Sequence, residues 1–129
     1  MKTTTISIIT GLIIISGLVW LATISSAPTS VGPANNVTIV DGRQIIEIQA
    51  KGGYQPRVSV AKAGLPTILR FKTKGTFDCS TAVRIPSLNL DKNLPLTGET
   101  DLDLGQPKVG VLAGTCGMGM YPFSIDFQA

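Results

Sequence analysis

Hydrophobic residues follow two different patterns along this chain of 129 residues. An apolar run without a charged residue, ISIITGLIIISGLVWLATI, occupies residues 6–24. From residue 37 onward, apolar and polar residues alternate in short runs, and alternation gives a strand one buried face. The pattern predicts four segments: an N-terminal flank at 1–5, a transmembrane anchor at 6–24, a flexible linker at 25–36 and a β domain at 37–129.

The apolar run is long enough to cross a bilayer. At a rise of about 1.5 Å per residue it covers roughly 28 Å, close to a hydrocarbon core of about 30 Å. Trp20 suits an interfacial position near its end. A cleaved signal peptide is the alternative, with Lys2 as the n-region and Ser25-Ser26-Ala27 as the cleavage site. The run exceeds the usual h-region of about 7 to 15 residues, which favours a retained anchor.

The second pattern predicts an all-β domain with many turns. Asp41-Gly42 lies between two apolar runs, and such a pair is a strong hairpin signal. Gly and Pro interrupt the remaining runs at short intervals, as in a sandwich or barrel. The predicted strands cover residues 37–40, 43–50, 57–61, 67–73, 82–85, 101–104, 108–113 and 123–127.

Charge and the absence of one residue type exclude several functions. The chain has 11 Lys and Arg, 8 Asp and Glu, no His, and a formal charge of +3. The basic residues are scattered, so we expect no nucleic-acid partner. A blue-copper site needs two histidines beside its cysteine, and a catalytic cysteine needs a basic partner such as histidine. The sequence therefore predicts a protein that is not an enzyme.

Sulfur is concentrated at two places after the initiator methionine. Cys79 stands alone, whereas Cys116, Met118 and Met120 are separated by single glycines. In an extended segment alternate side chains point the same way, so these three sulfurs could face one centre. Thiolate and thioether are soft donors that select Cu(I), and thioether is not a usual zinc ligand. Cys79, Cys116, Met118 and Met120 are therefore the predicted metal ligands.

The charges of these donors fit a cluster of two copper ions. Thiols must first lose a proton from a pKa near 8.5, so metal uptake should release protons. Two thiolates and one Cu(I) carry a net negative charge, and a second Cu(I) neutralises it. The ligand set is thus compatible with two Cu(I) per chain, one held tightly and one loosely.

Two simpler interpretations of the sulfur residues remain open. Cys79 and Cys116 could form a structural disulfide, as is common in exported β-sandwiches, and the chain would then be a stapled interaction domain. Methionines more often fill a core than bind a metal. A third possibility keeps the copper site but places it outside the cytoplasm, as a copper-storage protein.

The residues also resemble a known family. GYQPRVSVAKAGLPTILRF, at residues 53–71, resembles the early strands of cupredoxin-like domains, and the Cys116–Met120 segment resembles the metal loop between their last two strands. With Cys79, the chain is similar to CupA-type membrane-anchored Cu(I) chaperones of Gram-positive copper-resistance operons. It is also similar to the cupredoxin-like N-terminal metal-binding domain of the partner copper-exporting P-type ATPase.

The resemblance implies a fold and a role for each donor. The fold is an all-β, cupredoxin-like Greek-key β-sandwich preceded by a single N-terminal transmembrane helix. Cys79 stands where ordinary cupredoxins have their first histidine, and Cys116 stands at their cysteine. The two thiolates would bridge a binuclear Cu(I) cluster, and Met118 and Met120 would cap the more weakly held copper, which passes to the ATPase.

The two sources of information on topology disagree. Lys2 is the only charge on the short N-terminal flank, which under the positive-inside rule slightly favours an exported domain. The resemblance implies a cytosolic domain, because the metal-binding domain of the ATPase is cytosolic. A cytosolic location would also keep the two cysteines reduced. We expect an anchor in the cell membrane with the β domain facing the cytosol.

Overall fold

The computed structural model describes residues 35–129 of the chain. The predicted flank, transmembrane helix and most of the predicted linker lie outside the described residues. Of the linker, Asn36 is hydrogen-bonded into the β domain, through its side chain to the Glu47 carbonyl at 2.8 Å and to Ser59 Oγ at 2.8 Å. Within residues 35–129, no helix has the length and apolar character that crossing a membrane would require.

Ten strands and two single 3-10 turns make up the described chain. The turns are Cys79–Thr81 and Pro86–Leu88. The strands are β1 (Val37–Val40), β2 (Arg43–Ala50), β3 (Tyr54–Gln55), β4 (Val58–Lys62), β5 (Thr67–Thr73), β6 (Ala82–Ile85), β7 (Leu90–Asn93), β8 (Gly98–Gly105), β9 (Gly110–Cys116) and β10 (Pro122–Gln128).

The strands form two sheets, which confirms the predicted all-β sandwich. The first sheet has the order β1-β2-β5-β8, with β3 paired to β2, and the second has the order β4-β10-β9-β6-β7. Two pairs are parallel, β2 with β5 and β4 with β10. The other pairs are antiparallel, including β9 with β10, which places the connection between these two strands at one end of the sandwich.

The predicted strands are all present, with corrections to their bounds and two additions. β9 begins at Gly110 rather than at residue 108 and continues to Cys116 rather than residue 113. β3 is too short to show a period, and β7 is a mainly exposed strand whose sequence, LDKN, does not alternate. β7 is therefore a strand because it pairs with β6, and not because of a pattern in its own sequence.

The core lies between the two sheets and extends to the end of the sandwich that carries the two cysteines. Alternate residues of β2 and β5 point inward from the first sheet, and those of β10 point inward from the second. Tyr54, Phe71 and Phe123 pack edge to face, with ring centroids 4.9 to 5.8 Å apart. The tip of the Phe123 ring lies against Gly114, where a Cβ atom would overlap it. This aromatic cluster supports the end that carries both cysteines.

The opposite end is formed by tight local turns. The predicted Asp41–Gly42 hairpin is confirmed, with both residues at positive φ, 52° and 75°. Behind it, buried Gln44 joins the two sheets, since its side-chain amide donates to the Lys62 carbonyl at 2.9 Å and to Thr67 Oγ1 at 3.0 Å. In return, the Lys62 N–H donates to Gln44 Oε1 at 2.9 Å.

Candidate metal centre

Cys79 begins a short 3-10 turn between β5 and β6. Asp78 caps this turn, accepting hydrogen bonds from the Ser80 N–H at 2.8 Å and from Ser80 Oγ. Its second oxygen accepts from the Gly52 N–H at 2.8 Å, which ties the turn to the β2–β3 connection. The Ser80 side chain, followed by these backbone donors, holds the pKa of Asp78 below its usual value, because each donor stabilises the carboxylate. The backbone at Cys79 is thereby fixed from both sides.

Tyr54 supports the same turn from inside the core. Its hydroxyl donates to the Ser80 carbonyl at 3.1 Å, and the Ala82 carbonyl lies 3.4 Å away. Burial raises the pKa of Tyr54 well above its usual value, and the nearby Asp78 charge adds to the effect. The phenol therefore stays neutral and keeps its proton for this hydrogen bond.

Cys116 is the last residue of β9, opposite Val83 of β6, and its side chain is completely buried. After it the backbone reverses into β10. The Gly119 N–H donates to the Cys116 carbonyl at 2.9 Å, and the Cys116 N–H donates to the Tyr121 carbonyl at 3.2 Å. Gly119 has a φ of +77°, a conformation that favours glycine. The Gly117 N–H donates to the Ala82 carbonyl at 2.8 Å and fixes the turn to β6.

The expectation that Cys116, Met118 and Met120 lie on one extended segment is wrong. They lie on a reversing turn, because β9 and β10 are antiparallel neighbours and the chain must change direction between Thr115 and Pro122. The alternation of side chains therefore does not apply after Cys116. Burial separates the three residues instead: Cys116 is enclosed, whereas Met118 and Met120 are 78% and 62% exposed.

The structure brings two of the four predicted donors into direct contact. Cys79 and Cys116 are joined as a disulfide, with their Cα atoms 5.8 Å apart. This is the pairing that the stapled-domain interpretation requires, and it also puts the sulfurs where reduced thiolates could share a metal. Met118 and Met120 are on the same turn with their side chains in solvent, so neither fills the core.

Asp78 is the carboxylate beside this pair, and both of its oxygens accept hydrogen bonds. Within residues 35–129 no group of three or more His, Cys, Asp or Glu side chains is placed to hold a metal ion. A metal held here would depend on sulfur, with the thiolates as charged donors and the thioethers as neutral ones. That donor set suits Cu(I) and disfavours zinc or calcium.

Sequence reasoning missed the residues that position the donors. Asp78 and Tyr54 fix the Cys79 turn, and Phe77 is 81% exposed beside it. An Asp directly before a short turn is a common cap signal and could have identified Asp78. No local signal could have identified Tyr54, because its partners lie 26 and 28 residues away.

Comparison with known proteins assigns the fold to a family. The sequence model of the cupredoxin-like domain matches residues 12–124. Comparison with curated protein sequences gives no match. Among solved structures, a copper-binding protein determined in its apo form by NMR has a TM-score of 0.65 and 25% identity, covering 71% of this chain and 94% of that one.

Two further structures share the fold at lower identity. The metal-binding domain of the Streptococcus pneumoniae D39 Cu(I)-exporting P-type ATPase CopA, determined with Cu(I), has a TM-score of 0.64 and 21% identity, covering 72% of this chain and 93% of that one. Auracyanin B has a TM-score of 0.50 and 11% identity, covering 76% of this chain and 97% of that one. The family match spans most of the sequence, and the chain therefore belongs to the cupredoxin-like domain family.

Proposed function

We propose that this protein is a membrane-anchored Cu(I) chaperone. It binds Cu(I) through Cys79, Cys116, Met118 and Met120 and passes the ion to a copper-exporting P-type ATPase. One observation carries the proposal. Two exposed methionines lie on the turn that follows buried Cys116, and Cys116 is in direct contact with Cys79. Similarity to a copper-binding protein and to a Cu(I)-bound ATPase domain supports copper as the metal.

Burial gives the two kinds of donor different tasks. Cys116 is enclosed and Cys79 is half-buried, so a copper held by their thiolates would be shielded from solvent. Met118 and Met120 face solvent, where an acceptor can reach a copper that they hold. Thioethers carry no charge and bind weakly, which suits a copper that must leave. We infer two Cu(I) per chain, with the methionines capping the labile one.

Transfer is an exchange of ligands. Binding needs both cysteines as thiolates, so a thiol reductant of the cytosol must first supply two electrons and cleave the disulfide, itself becoming oxidised to a disulfide. Loading with copper then releases the thiol protons. When an acceptor takes the copper, its own donors replace the thioethers and then the thiolates. The ion stays Cu(I) throughout, and the thiolates take up protons again once both copper ions have left. No bond is made or broken in an organic substrate, so the protein is not an enzyme.

The apolar run at residues 6–24 and the partner complete the proposal. A membrane anchor holds the domain near an ATPase in the same membrane, which raises its effective concentration and makes modest affinity sufficient. The domain faces the cytosol, where copper is collected for export and where cysteines stay reduced. The role is in copper resistance and homeostasis. An extracytoplasmic copper store would have the opposite orientation, and protease accessibility in intact cells separates the two.

The disulfide favours a second candidate function. An exported β-sandwich stapled by Cys79 and Cys116 would act as an interaction domain and would need no copper. It accounts for the cysteine pair but not for two methionines exposed beside it. Trapping of free thiols in cells distinguishes the candidates, because a chaperone would yield two reactive cysteines per chain and a stapled domain none.

The decisive test is copper binding by the reduced protein. The full-length chain in nonionic detergent is reduced, kept anaerobic and titrated with Cu(I) against a colorimetric Cu(I) chelator. We expect two Cu(I) per chain, and failure to compete for any copper would contradict the proposal. Cys79→Ser or Cys116→Ser should weaken binding by more than the roughly 10- to 100-fold that loss of an outer-sphere partner costs.

The thioethers can be tested separately. Met118→Leu combined with Met120→Leu removes both donors while keeping side chains of similar volume, and should lower loading from two Cu(I) to one. Phe77→Leu is the matched control, since it alters an equally exposed apolar residue beside Cys79 that has no donor atom. Unaltered loading in the double variant would contradict the two-site assignment.

A further inference from the structure

Four cationic side chains surround the end of the sandwich that carries the cysteines. Lys51 precedes Gly52, which is hydrogen-bonded to Asp78, and Lys74 lines the same surface groove as Lys51. Arg57 lines a pocket with Tyr121, and Lys92 lines another with Gly117. We call Lys51, Arg57, Lys74 and Lys92 the cationic rim. All four are exposed.

The charges of the cationic rim are available to a partner. The ion pairs formed among residues 35–129 involve Arg70, Lys72 and Arg84, and none involves a residue of the rim. Glu99 and Asp91 line the same grooves as the rim, and they form ion pairs with Lys72 and Arg84. Asp78, beside Cys79, adds one negative charge against the four positive charges of the rim. This end therefore presents an excess of positive charge.

The opposite end lacks such an excess. Its exposed cations lie among exposed carboxylates: the cations are Arg43, Lys62 and Lys108, and the carboxylates are Asp41 and Asp103. The formal charge of the chain is only +3, so the asymmetry comes from the placement of charges and not from a strongly basic composition. The electrostatic field of these charges orients an approaching acidic partner toward the end with the copper ligands.

The centre enclosed by the cationic rim is apolar. Phe77, Met118 and Met120 are each more than 60% exposed. Phe77 lies two residues from Cys79, and Met118 two residues from Cys116, and the Cα atoms of these cysteines are 5.8 Å apart. An apolar centre with a polar rim is the usual arrangement of a protein–protein interface, in which aromatic and methionine side chains are enriched at the centre.

We infer that this end docks on an acidic protein surface, one on which Asp and Glu surround the copper ligands of the acceptor. The inference rests on the proposed function, because the methionines within the rim must meet the acceptor's own ligands for copper to pass. Complementary charge would bring the two sets of ligands together in the correct orientation and raise the association rate, with strong dependence on salt.

The experiment compares two synthetic acceptors. Both are peptides with one Cys-X-X-Cys pair, flanked in one by glutamates and in the other by lysines. Copper transfer from the Cu(I)-loaded full-length chain in nonionic detergent is followed by stopped flow. We expect transfer to the acidic peptide to be about 10-fold faster or more at low ionic strength. The preference should disappear near 1 M salt, where the Debye length is about 3 Å.

Two charge-reversal variants locate the effect. Lys51→Glu with Lys74→Glu should abolish the preference, whereas Lys62→Glu with Lys108→Glu makes the same change in net charge at the opposite end and should leave most of it. Equal losses in both variants would overturn the inference, since net charge alone would then explain the rates. Absence of any preference in a chain that binds and transfers copper would overturn it and leave the proposed function intact.

A copper-free measurement separates the two proposals further. A dye-labelled glutamate-rich peptide without cysteine should bind the reduced apo chain, and binding should weaken in the Lys51→Glu, Lys74→Glu variant, even if copper binding itself failed. No binding, or equal binding by this variant, would count against the acidic partner. If the peptide did not bind but phosphatidylserine vesicles protected Lys51 and Lys74 from an amine-reactive reagent, the surface would belong to a lipid contact instead.

Discussion

The two ends of the sandwich hold their turns in different ways. At the end opposite the cysteines, Asp41 and Gly42 form a hairpin from their own conformational preferences, and the charges around it are mixed. At the cysteine end, Asp78, Tyr54 and the Cys116 backbone hold the turns through partners far away in sequence. The hairpin at the first end is specified by adjacent residues, whereas the turns at the second require the assembled fold. A metal site benefits from the second arrangement, because donors fixed by distant contacts keep their positions when a metal leaves.

Reduction of the disulfide, which lies at the cysteine end, should have the largest effect on the free energy of unfolding. Cys79 and Cys116 are 37 residues apart, and closing a loop of that size is worth about 3–4 kcal/mol in the chain-entropy account. Urea denaturation of the full-length chain should therefore give a free energy of unfolding lower by about that amount after reduction. Added Cu(I) should restore part of it, because the metal binds the folded state preferentially.

A variant without either cysteine provides the control for this measurement. The Cys79→Ser, Cys116→Ser protein should be insensitive to reductant and to Cu(I). If Cu(I) stabilised that variant as much as the reduced chain, the metal would be binding elsewhere. If reduction left the stability of the natural chain unchanged, the crosslink would have no role in holding the cysteine end.

Gly114→Ala should give the next largest effect. A Cβ at this position overlaps the Phe123 ring, so the aromatic cluster beneath the cysteine end must shift, at a cost of about 1–3 kcal/mol. Gly42→Ala at the opposite end meets no neighbouring atom, and its cost of roughly 1–2 kcal/mol comes from the positive φ alone. Denaturation of both variants measures the difference.

A second substitution tests the cause of each loss. Phe123→Leu should recover part of the stability lost in Gly114→Ala, because the smaller side chain leaves room for the added methyl group. It should have no such effect on Gly42→Ala. Additive losses in the first pair would show that the ring does not cause the strain.

The same contrast between the ends decides what the sequence could predict. The hairpin was predictable because its signal, an Asp-Gly pair between apolar runs, is contained in adjacent residues. The strands of the first sheet were predictable because alternate residues of β2 and β5 are buried. β7 was missed because LDKN does not alternate, and the start of β8 was placed three residues late because Gly98 and Glu99 look like part of a turn.

At the cysteine end, the sequence indicated a set of candidate sulfur ligands but not how the structure arranges them. The composition pointed to soft sulfur ligands, since sulfur is concentrated and histidine is missing. The reversal after Cys116 depends on the pairing of β9 with β10, which no local pattern encodes. The burial of Cys116 and the exposure of Met118 follow from that reversal. Long-range contacts, which a single sequence does not reveal, determine the geometry of the site.

The smallest expected effect on stability comes from replacing one aspartate at each end. Asp78→Ala removes a cap and should cost about 1 kcal/mol at neutral pH. Asp41→Asn should cost almost nothing, because asparagine also tolerates the left-handed conformation that Asp41 adopts. The pKa of Asp78 is lowered in the folded protein, so its contribution is complete above the usual carboxyl pKa and is lost as the pH falls through the lower folded value. Denaturation at pH 7 and at about pH 2 should therefore show the deficit of Asp78→Ala shrinking in acid. A deficit of the same size at both pH values would show that the ionised carboxylate does not hold the Cys79 turn.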